Sequence, residues 1–332
     1  MLDVLIVSLG STGGLRLADA ELCESLRRAG ASVQIASTKP QPQVRTMMLT
    51  DLLWAAGARR AARAGLAGAP AHAVIYSTVT AALLWPRPGA IRFDATAAGN
   101  RPGRHGLWQR RLERRRLAAA PLLLPLSREG LAEAPRTPGD SDRALVLGVP
   151  VEPSGPLAST RDLAAITYAA NPSKKGLDRV LQAWAAARRD SEELLVAGVL
   201  RRELGGLGVS AQTEGVRFTG MLAQAEYRAL LRRARVFVCA PRREDFGQAQ
   251  LEALADGCQL VSTPAPGPYA ALPIARELDP RLVGEDLAAA LRAALDEPSS
   301  EYADRARVAL APFTRRALDR LVADQLLARL RS

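Results

Sequence analysis

Glu244 and Glu252 flank the turn Asp245-Phe246-Gly247-Gln248, in an E-x(7)-E spacing. The run Val236-Phe237-Val238-Cys239 before them reads as a strand. The run after them (Leu251, Leu254, Ala255) reads as a helix that stops at Asp256-Gly257. In an open α/β sheet, ligands sit at the carboxyl ends of strands. A helix that starts there points free backbone N–H groups and a partial positive charge at the same place, which suits a phosphate. Glu244 lies before the turn and Glu252 one to two turns into the helix. They can hold different hydroxyl groups of one ligand while the amides around Phe246, Gly247 and Gln248 hold its phosphates. That combination fits a nucleotide-sugar.

A second chemical cluster is Asn171-Pro172-Ser173-Lys174-Lys175-Gly176. An ammonium beside a helix start can neutralise a departing diphosphate. The chain carries 45 Lys and Arg against 34 Asp and Glu, a net charge of +11, yet its only lysines are Lys39, Lys174 and Lys175. Asn171 can donate to a phosphate or sugar oxygen but adds no charge. Gly10-Ser11-Thr12-Gly13-Gly14 follows the first strand, where missing Cβ atoms let the backbone approach an anion. It is not G-x-G-x-x-G, and no Asp or Glu ends the next strand near Ser37-Thr38, which counts against a dinucleotide-dependent dehydrogenase. Asp94, at the end of the strand Ala90–Phe93, is a candidate contact for a sugar or an acceptor hydroxyl, or else a turn former. Asp140-Ser141-Asp142 has the D-x-D form of metal-dependent transferases but is a short pattern in a Pro/Gly-rich turn. No His, Cys and Asp cluster has metal-ligand spacing, so no metal is expected.

The E-x(7)-E motif with Phe-Gly inside it resembles the donor-binding motif of retaining glycosyltransferases of family 4, which have the GT-B fold. The run Leu251-Glu252-Ala253-Leu254-Ala255-Asp256-Gly257-Cys258-Gln259-Leu260-Val261 is similar to that family's L-E-A-x-A-x-G-x-P-V. The lysine loop resembles its G-R-L-x-x-x-K-G, with Lys175 at the phosphate-binding lysine. The family's arginine falls near Ala170 and is absent; Lys174 and Arg243 are candidates to replace its charge. The resemblance implies a metal-independent retaining transferase with an NDP-sugar donor, such as UDP- or GDP-hexose, and no further cofactor. It implies that Glu244 holds sugar hydroxyls, that Glu252 holds the ribose, and that Gly13 and Gly14 meet the donor phosphates. It also implies that strand ends such as Val196-Ala197-Gly198 frame the nucleotide. Relatives carry a histidine near Asp94. The histidines here, His72 and His105, lie elsewhere. Two other readings stay open: a GT-B-like epimerase or phosphorylase, and a catalytically weak partner subunit of a glycan assembly complex.

The elements that must position these groups alternate. Strands are expected at 2–8, 33–37, 73–76, 90–93, 122–126 and 144–149, with helices at 16–28, 51–64 and 107–119 between them. After the proline-rich linker 150–156, a second series runs at 164–168, 194–196, 216–218, 236–239 and 259–262. Such alternation predicts an α/β protein of mostly parallel sheets. The expected division is an acceptor domain over 1–150, joined by a C-terminal helix at 313–332 that crosses back, and a donor domain over 157–312. Together they form two Rossmann-like domains facing across a cleft.

At 332 residues with 48% hydrophobic residues, both cores can be filled, mainly by Ala, Leu and Val since aromatics make up 4%. No apolar run reaches the roughly 18 residues that suggest a spanning helix. The start shows no signal-peptide pattern, and Cys23, Cys239 and Cys258 are widely spaced in apolar segments. These features predict a cytoplasmic protein with reduced thiols. Trp108 and Leu112 sit among Arg110, Arg111, Arg114 and Arg115, and Trp54 sits near Arg59, Arg60 and Arg63. Basic helices of this kind suit either an ordinary surface or an anionic membrane face carrying a lipid-linked acceptor. Nucleic acid is not an expected partner, because no reading motif accompanies the charge.

Overall fold

β1 (Leu2–Ser8) is an inner strand of the first sheet, a mainly apolar run buried from Val4 to Ser8. The computed structural model describes residues 1–332 apart from 43–45, 102, 136–141, 159, 190, 206–213 and 332. It divides into a unit of residues 1–150 with 312–332 and a unit of residues 151–311.

In the first unit β1 pairs in parallel with β2 (Val33–Ser37) on one side and β3 (Ala71–Tyr76) on the other. β4 (Ala90–Phe93) and β5 (Leu123–Pro125) continue outward, giving the order β2-β1-β3-β4-β5. The chain therefore reverses its direction of winding between β1 and β3, which opens a crevice at their carboxyl ends. The helix Gly13–Arg28 begins earlier than its apolar pattern suggests, because Thr12 accepts a hydrogen bond from the Leu15 N–H at 3.2 Å. Thr46 likewise caps the helix Met47–Gly68. The C-terminal helical segments Arg315–Leu321, Val322–Leu326 and Leu327–Arg331 bury Leu318, Val322, Leu326 and Leu327 in the core of this unit.

The strand expected over 144–149 does not form. The Leu145 and Leu147 N–H groups donate to the carbonyls of Leu123 and Pro125, and the Leu123 N–H donates to Arg143. The next bond of a parallel ladder would need an N–H from Pro125, which proline lacks. The segment follows β5 without completing the pairing. Asp140 and Ser141 of the D-x-D triplet lie outside the described residues.

The second unit repeats the plan. β6 (Leu163–Tyr168) is central, flanked by β7 (Leu194–Ala197) and β9 (Ala234–Cys239), with β8 (Val216–Gly220) and β10 (Gln259–Ser262) at the edges. The order is β10-β9-β6-β7-β8, all parallel, with the winding reversal between β6 and β9. The linker is held to this unit: the Ser154 N–H donates to Asp256 at 2.8 Å and Arg228 donates to the Glu152 carbonyl at 2.8 Å. Two parallel five-stranded sheets with surrounding helices are the two Rossmann-like domains of an α/β protein. Cys23, Cys239 and Cys258 are all buried and unpaired.

Candidate active site

The winding reversal of the second sheet brings the loops after β6 and β9 together. Asn171 caps the turn Pro172–Lys175 by accepting from the Lys174 N–H at 3.0 Å. Gly176 then turns the chain in left-handed conformation (φ 63°), directly against the Ala240 carbonyl. The Arg242 N–H donates to the Lys174 carbonyl at 2.9 Å, tying the two loops to each other.

Across this seam Lys175 Nζ donates to Glu244 Oε2 at 2.6 Å. The lysine side chain is 21% exposed and the glutamate 6%. Gln250 holds the same carboxylate oxygen through its Nε2 at 2.9 Å. Beside them Asp245 accepts from Lys174 and, at 3.1 Å, from Arg243 Nε. The cations Lys174, Lys175 and Arg243 thus surround the carboxylates Glu244 and Asp245. Both replacements considered for the missing arginine, Lys174 and Arg243, share one partner in Asp245.

Phe246 is buried, and Gly247 opens the helix Gln248–Ala255 from a left-handed backbone (φ 86°). A Cβ there would lie 3.0 Å from the Tyr269 ring. Glu252 faces a polar cluster that its neighbours in sequence only partly supply. Gln248 donates to its Oε1 at 3.2 Å and Gln224, from the start of the helix after β8, at 3.1 Å. Burial raises the Glu252 pKa above the ordinary carboxylate value, and Arg228 opposes that rise. Tyr168 and Tyr227 stack at a tilt with centroids 5.4 Å apart, and both phenols are raised by burial and then by the Glu252 charge. Gly198, at the end of β7, adopts φ 92° and backs onto the loop after β6, where a Cβ would meet the Ala170 nitrogen at 2.8 Å. The second unit therefore brings together Asn171, Lys175, Gly198, Glu244, Phe246, Gly247, Gln248 and Glu252. Gln224 and Gln250 escaped sequence reasoning: the first belongs to another helix, and the second occupies an unspecified position of the motif.

Gly13, Gly14 and Asp94 belong to the first unit. No heavy atom lies within 4 Å of a Cβ built on Gly14, and the nearest to one on Gly13 is a flexible arginine tip at 3.9 Å. Packing does not demand glycine at either place. Asp94 is exposed at the end of β4, and its Oδ1 accepts from the Ala95 N–H at 2.8 Å. It lines a cavity of about 380 Å³ beside Asp51, Thr78 and Glu113. His72 meets the Arg331 carbonyl at 3.2 Å. Trp54, Trp108 and Leu112 are half-buried against the core of this unit, while Leu107 stays 58% exposed. Among the described residues no helix is long and apolar enough to cross a membrane.

Glu113 was not singled out by its position in a basic helix. Both its carboxylate oxygens accept from the Ala97 N–H, at 2.9 and 3.0 Å. Burial pushes its carboxyl from an ordinary 4.5 up to about 7, against the pull of that N–H and of Arg101. The folded protein then keeps a proton that the unfolded chain releases, so this group's contribution is fullest below pH 4.5 and is lost as pH rises through about 7. Glu113→Gln is expected to raise stability at pH 8, by on the order of 3 kcal/mol for a shift of this size. The gain should vanish toward pH 4.5. Melting temperatures of the two proteins across this range check it, and parallel curves would refute it.

With the geometry in hand, the class is plain: two Rossmann-like units define the GT-B fold. Residues 163–297, within the second unit, match the family described as Glycosyl transferases group 1. Among solved structures, WaaG, a glycosyltransferase involved in lipopolysaccharide biosynthesis, is similar at 16% identity and a TM-score of 0.70, covering 97% of this chain and 99% of its own. Sucrose-phosphate synthase from Thermosynechococcus elongatus is similar at 15% identity and a TM-score of 0.71, covering 99% of both chains. Anabaena Alr3699/HepE, solved in complex with UDP and glucose, is similar at 13% identity and a TM-score of 0.66, covering 98% of this chain and 99% of its own. No curated protein matches the chain. Fold and family match together support a GT-B glycosyltransferase.

Proposed function

We propose that this protein is a retaining glycosyltransferase that moves a sugar from a nucleoside-diphosphate sugar to an acceptor hydroxyl without a metal. The observation that carries the reading is the meeting of Lys175, Glu244 and the amino end of the helix Gln248–Ala255 at the winding reversal of the second sheet. A cation, a hydroxyl-binding carboxylate and free backbone N–H groups are what a diphosphate-linked sugar needs in one place. Glu252, held by Gln224 and Gln248, offers a second carboxylate for ribose hydroxyls.

In this reading Lys175 and the helix amides stabilise the charge that grows on the departing diphosphate. Glu244 holds the sugar hydroxyls. The leaving phosphate takes the acceptor's proton on the same face of the sugar, so no separate protein base is required. The family match over 163–297 and the Anabaena structure with UDP and glucose favour this reading over an epimerase or a non-catalytic partner subunit.

Thermal unfolding with UDP, GDP, ADP and dTDP, with and without magnesium, tests it. A ligand at about 100 times its dissociation constant stabilises the fold by about 2.7 kcal/mol. One nucleotide should stabilise the wild type without magnesium and stabilise Glu252→Ala far less. If none of the four shifts the wild type, the donor-site reading fails.

A further inference from the structure

We propose that Gln250 is a positioning residue that keeps the Glu244 carboxylate in place when Lys175 leaves it for a diphosphate. This role rests on the donor-site reading above, and it falls to a residue that the E-x(7)-E spacing leaves unspecified.

Lys175 and Gln250 donate to the same oxygen, Glu244 Oε2, at 2.6 and 2.9 Å. The lysine is the partner that a phosphate can draw away, because its side chain is 21% exposed and that of Glu244 only 6%. A buried carboxylate that loses its cation and finds no other donor is costly. That cost would oppose diphosphate binding. Gln250, 1% exposed, keeps an N–H on the carboxylate after the lysine has turned away. Its amide is neutral. A second cation at this place would repel Lys175 and cancel the charge that holds it, and an amide does neither.

The amide is backed by neutral groups. Gln250 belongs to the helix Gln248–Ala255, and its Nε2 lies 3.8 Å from Cys239 Sγ at the end of β9. The Cys239 thiol donates to Ser262 Oγ at 3.5 Å and meets the Tyr269 hydroxyl at 3.3 Å. Ser262 and Tyr269 close the triangle at 3.1 Å. Burial raises the Cys239 pKa, so the thiol stays uncharged behind the amide.

This orientation leaves Gln250 Oε1 without a partner among the described residues. It lies beside Gly247, 3.6 Å from where a Cβ would stand. Turning the amide over would set Oε1 against the carboxylate, acceptor against acceptor. A buried acceptor without a partner lowers stability, and a leucine would avoid that loss. What a leucine cannot supply is the N–H on Glu244.

NMR of the full chain with isotope-labelled lysine tests the proposal. The only lysines are Lys39, Lys174 and Lys175, and Lys175→Arg assigns the signal of interest. The probes are UDP, GDP, ADP and dTDP, titrated into wild type, Gln250→Leu and Gln250→Met, and into Glu244→Gln with and without each Gln250 change. Leu and Met fill similar space without an N–H, and a Tm near that of the wild type shows that a variant has folded. At least one diphosphate should move the wild-type Lys175 signal. Its midpoint should rise about tenfold in both Gln250 variants, the effect of one hydrogen bond to a charged group. In the Glu244→Gln background the same changes should move the midpoint about twofold or less, because the carboxylate they act through is gone. Equal midpoints in wild type and both variants overturn the role of Gln250 alone. A tenfold rise that persists in Glu244→Gln also overturns it, since Gln250 then acts through the fold. If no diphosphate moves the wild-type signal, the donor-site reading fails and takes this role with it.

Discussion

Glu244→Gln is expected to bind a nucleoside diphosphate more tightly than the wild type while losing sugar transfer. Lys175 has a partner within the protein, the Glu244 carboxylate at 2.6 Å. An incoming diphosphate must compete with that carboxylate for the same ammonium. A hydrogen bond to a charged group contributes about 1.5–3 kcal/mol net, so removing the negative charge should tighten diphosphate binding by about tenfold or more. The amide that replaces the carboxylate cannot accept two sugar hydroxyls as an anion does. Turnover should fall by about 10²–10³, the usual cost of losing one well-placed polar group at a reacting centre. Gln250 anchors the same oxygen, so the side chain should stay in place. Calorimetric affinities for the diphosphate and initial rates with the intact donor measure the two effects. An affinity that is unchanged or weaker in the variant would show that carboxylate and diphosphate do not compete for Lys175.

Gly176→Ala is expected to be among the most damaging single changes in the second unit. The residue sits at φ 63°, and an added Cβ would lie 1.9 Å from the Ala240 carbonyl oxygen and 2.9 Å from its carbon. Both are backbone atoms at the end of β9, so nothing flexible can yield. The loop carrying Lys175 would have to lift from the strand end that leads to Glu244. A forced clash with a left-handed backbone costs about 3 kcal/mol or more, and each kcal/mol lowers Tm by about 2–4 °C in a domain of this size. A loss of roughly 10 °C, together with loss of nucleotide stabilisation, is the expected result. Gly14→Ala is the control: its Cβ meets nothing within 4 Å and it lies within a helix, so the change should raise stability slightly, by about 0.4–1 kcal/mol. Equal melting temperatures for the two variants would refute the argument.

These cases mark where sequence and tertiary structure divide the work. The alternation of strands and helices was legible because a period-2 apolar run, a capping threonine and a stopping glycine act within a few residues. β1, β2, β4 and β10 begin and end where such runs do. The same locality exposed the motif 244–252, since a strand, a turn and a helix placed its two carboxylates without help from the rest of the chain. The strand expected at 144–149 failed for a reason one element away: its partner β5 presents Pro125 at the position that should donate. The helix Leu107–Ala119 packs by Gln109, Glu113 and Leu117, and Trp108 and Leu112 lie half-buried against the core beside that face, a degree of burial that the surrounding arginines do not reveal.

What the sequence determined by itself was the pair of α/β units and the residue types available at each strand end. Which of those ends meet was decided by strand order, because alternation is the same whatever order the strands adopt. Only the order β10-β9-β6-β7-β8 sets Lys175 against Glu244, 69 positions apart, and brings Gln224 to Glu252. Only the order β2-β1-β3-β4-β5 gathers Thr12, Asp51, Thr78 and Glu113 around one cavity. Such contacts bring distant residues together through packing of whole elements, and packing is a property of the folded chain rather than of any segment in it.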